Sequence, residues 1–310
     1  MTQLVRRLRT FAASGAAAMT GLAAVAGQAW AAQPTPWQMG LQPAASGVMS
    51  DIRWFNDFTL IIITVITLFV LALLLWCVFR FNAKANPTPS RTSHNTMIEV
   101  VWTLVPILVL VMISIPSFRL LYKQVDVPAY DMTIKATGYQ WYWGYEYSDE
   151  GMEELAFDSY MLRGEDRLAR AEAFKRPVEE YPRLLAVDNE LIVPVGKVVR
   201  MQITAADVLH SFAMPAFGVK IDAVPGRLNE TWFKAEQTGI YYGQCSELCG
   251  KDHAFMPIAI RVVEEEQFAA WAEAAKSDVE EATKALMASL ASAKTTADAG
   301  ASAAVEVAAR

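Results

Sequence analysis

Five side chains with an affinity for soft metals gather in one short stretch and one position upstream of it. Residues 245–256 read CSELCGKDHAFM, and His210 precedes them. The chain holds only three cysteines and three histidines, and two of each belong to this group. Cysteine usage therefore points to a single site and not to a disulfide framework. Thiolate and imidazole ligands favour copper or zinc. A mononuclear blue-copper centre takes two His, one Cys and a weak Met, so Cys245, Cys249, His210, His253 and Met256 supply one thiolate too many. Two thiolates shared between two copper ions use every donor: each ion takes both sulfurs and one histidine. Met256 and the carbonyl of Glu247 then serve as weak axial ligands. Such a pair spreads one charge over two metals and lowers reorganisation on electron transfer, which is relay chemistry. Three other readings stand beside it. A tetrahedral Cys2His2 zinc site ordinarily brings its histidines in an H-x3–5-H pair, which His210 and His253 do not form. A Cys245–Cys249 disulfide suits an oxidising compartment but leaves His253 and Met256 idle. A redox-active thiol pair normally sits in a thioredoxin-like α/β context that this sequence lacks.

A rigid frame must hold these donors. Residues 131–147, 191–204, 231–242 and 257–263 alternate in polarity or are rich in β-branched and aromatic residues. Short strands broken by Gly and Pro predict an all-β sandwich or barrel. Residues 148–186 are charged and polar and read as an inserted loop with some helix. Residues 264–293 are Ala/Glu-rich and predict helix, with Phe268 and Trp271 one turn apart. The stretch 295–310 is small and polar enough to be disordered. No internal repeat is present.

With 54% hydrophobic and 19% charged residues, the chain invites a search for membrane spans. Residues 58–79 carry no charge and are long enough to cross ~30 Å of hydrocarbon. Residues 100–118 form a second uncharged run holding Pro106 and Pro116, tolerated where neighbouring helices satisfy the freed carbonyls. The link between them bears Arg80, Lys84 and Arg91 against Glu99 alone, which puts it on the cytoplasmic side. Cys77, inside the first span, reads as a buried apolar residue without a redox role. At the start, Arg6, Arg7 and Arg9 precede an Ala/Gly-rich apolar stretch, and Ala29 and Ala31 fit a signal-peptide cleavage after Ala31. Cleavage after Ala32, or a first membrane helix, are the alternatives. The expected organisation is a signal over 1–31, an outer segment over 32–57 and a transmembrane hairpin over 58–118 with its cytoplasmic loop at 80–99. A soluble domain follows over 119–272 with an insert at 148–186, then a helical or disordered tail over 273–310. Acids outnumber bases by 30 to 20 over residues 119–310. That balance argues against nucleic acid and suits a basic protein partner, though a merely solvated surface would look the same.

The motifs CSELCGKDHAFMP, ADVLHSFAMPAFGVKIDAVPGR and GYQWYWGYEY, with the membrane stretch HNTMIEVVWTLVPILVLV, together resemble cytochrome c oxidase subunit II in its alphaproteobacterial or mitochondrial form. The resemblance covers about residues 50 to 272, in the family's order, and leaves out the insert and the tail. It implies a membrane α-hairpin of two transmembrane helices plus an all-β, cupredoxin-like periplasmic domain. It implies a dinuclear copper centre (CuA) held by His210, Cys245, the Glu247 carbonyl, Cys249, His253 and Met256. The Glu247 carboxylate matches a position that also binds Mg2+ or Mn2+ shared with subunit I, an oxygen ligand for a hard cation.

Further roles follow from the same resemblance. Trp141 matches the residue on which cytochrome c docks, whereas Trp143 reads as core. Glu146, Asp188 and Asp207 match acidic docking positions, with Glu154 or Asp158 supplying another. Glu99 matches the mouth of a proton-uptake channel, a place where a titratable carboxylate suits proton collection. Asp222 and Arg227 match a segment facing subunit I. The implied partners are subunit I with haem a, haem a3 and CuB, subunit III, cytochrome c and membrane lipid, in a bacterial inner membrane. The implied activity is transfer of electrons from cytochrome c to subunit I, where oxygen is reduced and protons are pumped. A quinol-oxidase subunit of the same fold would lack the Cys pair and His ligands. A nitrous oxide reductase would carry a histidine-rich second domain.

Overall fold

The computed structural model describes residues 30–32 and 34–292. Residues 1–29 of the expected signal, and 293–310 of the tail, lie outside the described residues.

Two long helices lead. α1 (Gly47–Arg80) is capped by Ser46, whose side chain accepts the Met49 N–H, and α2 (Thr96–Val125) by Asn95, which accepts from Met97 and Ile98. At 1.5 Å per residue they measure about 51 and about 45 Å, well beyond ~30 Å of hydrocarbon. Both exceed the spans at 58–79 and 100–118, because hydropathy reads only the apolar middle. Their outer ends stay helical because they have partners in the domain. Val48 and Met49 are buried. Ser46 Oγ donates to the Phe217 carbonyl at 2.8 Å, Ala45 N to Ala216 O at 2.9 Å, and Glu236 N to Ala45 O at 2.9 Å. Lys123 pairs with Asp51 at 2.5 Å, and the Trp232 indole donates to the Lys123 carbonyl at 3.2 Å. The hairpin thus enters the base of the domain instead of hanging from a linker. Cys77 lies on the outer surface of α1, inside the apolar span.

The domain is two sheets over one core. Its strands are β1 (Trp30–Ala32), β2 (Met132–Tyr139), β3 (Tyr142–Tyr147), β4 (Ala156–Ser159), β5 (Leu191–Pro194) and β6 (Val198–Ala205). β7 (His210–Met214), β8 (Val219–Ala223), β9 (Asn229–Lys234), β10 (Gly239–Cys245) and β11 (Pro257–Val263) complete the set. One sheet runs β5-β11-β10-β7-β8, with β1 added to β10, and the other β4-β3-β2-β6-β9. Strict alternation along β6 aims Val199, Met201 and Ile203 inward. They meet Phe212, Tyr241 and Ile260 of the facing sheet in one cluster. The Tyr147 hydroxyl ties the layers by donating to Ile192 O at 2.6 Å. Three of the expected strand runs each break into two strands, at 140–141, 195–197 and 235–238.

The insert and tail pack together. The insert contributes β4 and α3 (Gly164–Ala173) and buries Ala171, Tyr181 and Ala186 in a small cluster of its own. The expected helix over 264–293 forms as α4 (Glu265–Ala275) and α5 (279–292). Phe268 and Trp271 of α4 pack on Tyr147. α5 buries Ala282, Leu286 and Met287, and Glu280 pairs with Arg170 of α3 at 3.3 Å.

Candidate metal centre

β7 opens with His210 and β10 closes with Cys245, and the two strands pair there in antiparallel register. The loop from β10 to β11 then carries Cys249, His253 and Met256, with His253 on a 3-10 turn (His253–Phe255). Two strand ends fix the first two donors, and the loop folds the others back over them. Cys245 Sγ lies 3.8 Å from Cys249 Sγ, far beyond the ~2.05 Å of a disulfide. His210 Nδ1 is 3.9 Å from Cys245 Sγ, and His253 Nδ1 is 3.6 Å from Cys249 Sγ. Met256 Sδ is 3.6 Å from Cys249 Sγ, and the Glu247 carbonyl 3.3 Å from Cys245 Sγ. Ligand atoms of His210, Cys245 and Cys249 lie within 4.8 Å of one another, a set that His253 does not join. One four-coordinate ion would need both imidazoles close to each other. Here a different imidazole lies beside each sulfur, and the donors outnumber what one tetrahedral ion takes. The chemistry of the set, soft sulfur with imidazole nitrogen, fits copper.

The surroundings prepare these donors. His210 is fully buried, and its Nε2 faces Asp207 Oδ1 at 2.9 Å, which leaves Nδ1 aimed at the sulfur. A carboxylate on the far nitrogen fixes the ring and raises its basicity. Burial alone lowers the His210 pKa, but the Cys245 and Asp207 contacts outweigh it and raise it. Burial also pushes the Cys245 thiol up, and its bonds to His210, to the backbone of Glu247 and Ser211, and to His253 overcome this and lower it. Cys249 is raised, first by burial and then by the neighbouring Cys245 charge. Two thiolates this close need a cation before both can lose their protons.

Glycines admit the crowding. β2 crosses His210 at Gly138, where a Cβ would come within 2.9 Å of the imidazole. Gly250, at φ +123°, would press a Cβ to 3.0 Å from the Trp141 ring. Trp141 sits on the β2–β3 turn, half-buried, and its indole N–H donates to the Cys249 carbonyl at 3.1 Å. Gln140 Nε2 donates to the same oxygen at 3.1 Å. Lys251 Nζ lies 5.4 Å from the indole centroid. Trp143 is fully buried and donates to Met256 O at 3.4 Å.

The acidic candidates separate into groups. Glu146 is exposed and paired across strands with Lys135 at 2.9 Å. Glu154 and Asp158 are exposed, and the Tyr160 hydroxyl lies 3.4 Å from Asp158 Oδ2. Asp188 turns inward, accepting the Tyr160 and Asn189 amides at 2.7 Å each; burial raises its carboxyl despite those bonds. Asp207 also accepts Gln140 N at 2.8 Å and Val208 N at 2.6 Å, so its carboxylate is engaged from the protein side. The Glu247 side chain is half-buried. Glu99 lies at the opposite end of α2 and accepts the Asn95 amide at 3.3 Å, closing the first turn. Arg227 lines a concavity of about 880 Å3 between the helix ends and β7–β9, with Lys220 and Leu228. Asp222 lies on β8 beside it and meets Lys220 at 3.3 Å.

Sequence reasoning passed over Gln140, Gly138 and Gly250. For the two glycines a signal existed, because glycine within a strand or loop often marks a close approach of backbone to side chain.

Comparison with known proteins gives a single direction. A family model described as "Cytochrome C oxidase subunit II, periplasmic domain" matches residues 132–263, and its "transmembrane domain" counterpart matches 34–120. Cytochrome c oxidase subunit 2 of Cereibacter sphaeroides is 47% identical over 289 residues, 89% of this chain and 94% of that protein. A probable cytochrome c oxidase subunit 2 of Rickettsia bellii is 49% identical over 253 residues, 82% of this chain and 90% of the other. The solved periplasmic domain of subunit II of cytochrome oxidase from Bradyrhizobium japonicum is 61% identical, covering 50% of this chain and 99% of that one, at a TM-score of 0.43.

Proposed function

Since this chain belongs to the cytochrome c oxidase subunit II family and is thus a subunit of that oxidase, we propose that it is the subunit where electrons from cytochrome c enter, through a dinuclear copper centre. The chain is a membrane protein, with two apolar helices long enough to span and a C-terminal periplasmic domain. Its proposed membrane is the bacterial inner membrane; removal of residues 1–31 as a signal, also proposed, would take Trp30 and Ala31 of β1 away from β10.

The observation that carries the proposal is the pairing of each imidazole with its own sulfur around two thiols 3.8 Å apart. Cys245, Cys249, His210, His253, Met256 and the Glu247 carbonyl would together hold the copper pair. When bound, the copper pair supplies one-electron redox chemistry with little reorganisation. The protein's part is to keep that site dry and rigid. Full burial of His210, Cys249 at 3% exposure and Met256 at 1% support it.

Trp141 is the proposed contact for the donor's haem edge, since its indole is hydrogen-bonded straight to a ligand residue's carbonyl. Glu146, Glu154 and Asp158 form the exposed acidic rim for a basic cytochrome c, and Asp188 and Asp207 lie behind it. Subunit I is the proposed acceptor, seated in the concavity beside Asp222 and Arg227, with subunit III and lipid around the hairpin. The Glu247 carboxylate is the proposed protein ligand to a shared Mg2+ or Mn2+. Glu99 is the proposed mouth of a proton path into subunit I, where oxygen is reduced to water and protons are pumped.

Electron paramagnetic resonance of the copper-loaded full chain in detergent tests the core of this. Two equivalent copper nuclei sharing one electron give seven hyperfine lines. Four lines, or a spectroscopically silent metal that cannot be reduced, would overturn the dinuclear reading.

A further inference from the structure

Asp252 stands at the N-cap of the His253–Phe255 turn, where a carboxylate ordinarily accepts the free amides of the turn. It makes no such bond. Its Oδ2 lies instead 3.6 Å from Nη2 of Arg163, in the 148–186 insert. The same guanidinium sits over the Phe255 ring, 5.3 Å from its centroid. One side chain therefore touches the residue before His253 and the residue before Met256.

Arg163 is itself held from behind. Leu162 N donates to Ala186 O at 2.9 Å, Met161 bridges to Val187, and α3 begins at the next residue. The far end of α3 is tied to α5 through Arg170 and Glu280. Residues 252–256 of the ligand loop, by contrast, are held by few bonds, Cys245 N to Met256 O at 3.4 Å among them. His253 N reaches Gly250 O at 3.3 Å, Phe255 N reaches Asp252 O at 2.8 Å, and Trp143 Nε1 reaches Met256 O at 3.4 Å.

We infer that Arg163 is a positioning residue for the His253–Met256 half of the metal site, clamping the ligand loop to the insert. An arginine suits this because its planar head can pair with a carboxylate and lie on an aromatic face at once. The ion pair alone is weak, since the Arg163 side chain is 58% exposed and solvent screens it; the ring contact supplies the second hold. Where metal is concerned the inference rests on the copper reading, but the clamp on the loop does not.

Arg163→Ala, Arg163→Lys and Asp252→Asn in the full detergent-solubilised chain test it. Without metal, amide hydrogen exchange across 252–256 should quicken in Arg163→Ala, and Arg163→Lys, which keeps the charge, should lie near the parent. Loaded with copper, Arg163→Ala should lose metal to a chelator about 3–10-fold faster, below most of the ~10–100-fold that direct partners of metal ligands command. Its hyperfine pattern and reduction potential should move, and Arg163→Lys should restore them in part. Asp252→Asn, which removes only the charge, should give a smaller effect in the same direction and covers the case in which Arg163→Ala misfolds. Unchanged exchange and unchanged copper loss in Arg163→Ala and Asp252→Asn would overturn the clamp. A parent chain that takes up no copper would overturn the copper reading, while the exchange measurement still decides the clamp.

Discussion

Replacing Asp207 by Ala separates two roles that one carboxylate could have. On the acidic rim it would attract cytochrome c; beside His210 it orients a ligand. In the structure its oxygens accept from His210 Nε2 at 2.9 Å, Gln140 N at 2.8 Å and Val208 N at 2.6 Å. The His210 side chain is 0% exposed while that of Asp207 is 33% exposed, so water can replace the carboxylate at the two amides more easily than at the imidazole. A buried donor left without a partner costs about 1–3 kcal/mol. Losing the partner of a metal-bound histidine typically weakens metal binding ~10–100-fold, which at about 1.4 kcal/mol per decade is the same size. The first cost falls on the folded chain with or without metal and reads as lost stability; the second predicts that Asp207→Ala loosens copper by one to two decades. The assay is competition for copper against a chelator in the full chain, with the visible spectrum followed alongside. A pure docking role predicts something else: a raised KM for cytochrome c with altered salt dependence, and copper held as before. Unchanged copper affinity with an unchanged spectrum would refute the positioning argument.

Three further outcomes are expected. Gly250→Ala forces a Cβ onto a φ of +123° and to 3.0 Å from Trp141; it should lower stability by about 1–3 kcal/mol and slow electron uptake from cytochrome c, read by thermal melting and stopped flow. Glu190→Gln removes the counter-charge of the paired, nearly buried Arg261 and should cost about 3–5 kcal/mol in urea unfolding, with the copper spectrum unchanged before unfolding. Asp188→Asn should leave stability equal or slightly higher at pH 7.5, because both amides bond the one oxygen Oδ1 that asparagine retains. The sign follows from the raised carboxyl of Asp188: its stabilising share is present below the unfolded pKa of ~3.9 and is lost as pH rises through the folded value. The advantage of the variant should therefore vanish near pH 3.5, as thermal melts at the two pH values will read.

The candidate donors were legible because soft-metal chemistry needs particular atoms, and the sequence packs them into one loop plus one strand end. Strands that alternate, such as β6, were legible too. β7 was not: all five of its residues are buried, so HSFAM carries no period-two signal, although it opens with a ligand. The pairing of Glu146 with Lys135 depends on the register set by the turn at 140–141, which composition does not reveal. Asp207 read as a docking acid from the family resemblance; its inward bonds depend on where β2 ends beside β7. The meeting of insert and tail is a contact between segments distant in sequence, so no local pattern announces it.

The anchoring of Ala45 and Ser46 has a consequence for assembly. Ser46 precedes the first span, yet its hydroxyl bonds a carbonyl 171 positions later, and Ala45, Val48 and Met49 are buried. The segment exported first must wait, unpaired, until most of the domain has followed it across the membrane. Two spans return the chain to the side it left, so a second span that failed to cross would part those residues from the domain and leave its floor open. Closure of the domain's floor therefore depends on both spans having crossed, because Ala45 and Ser46 meet Ala216, Phe217 and Glu236 only then.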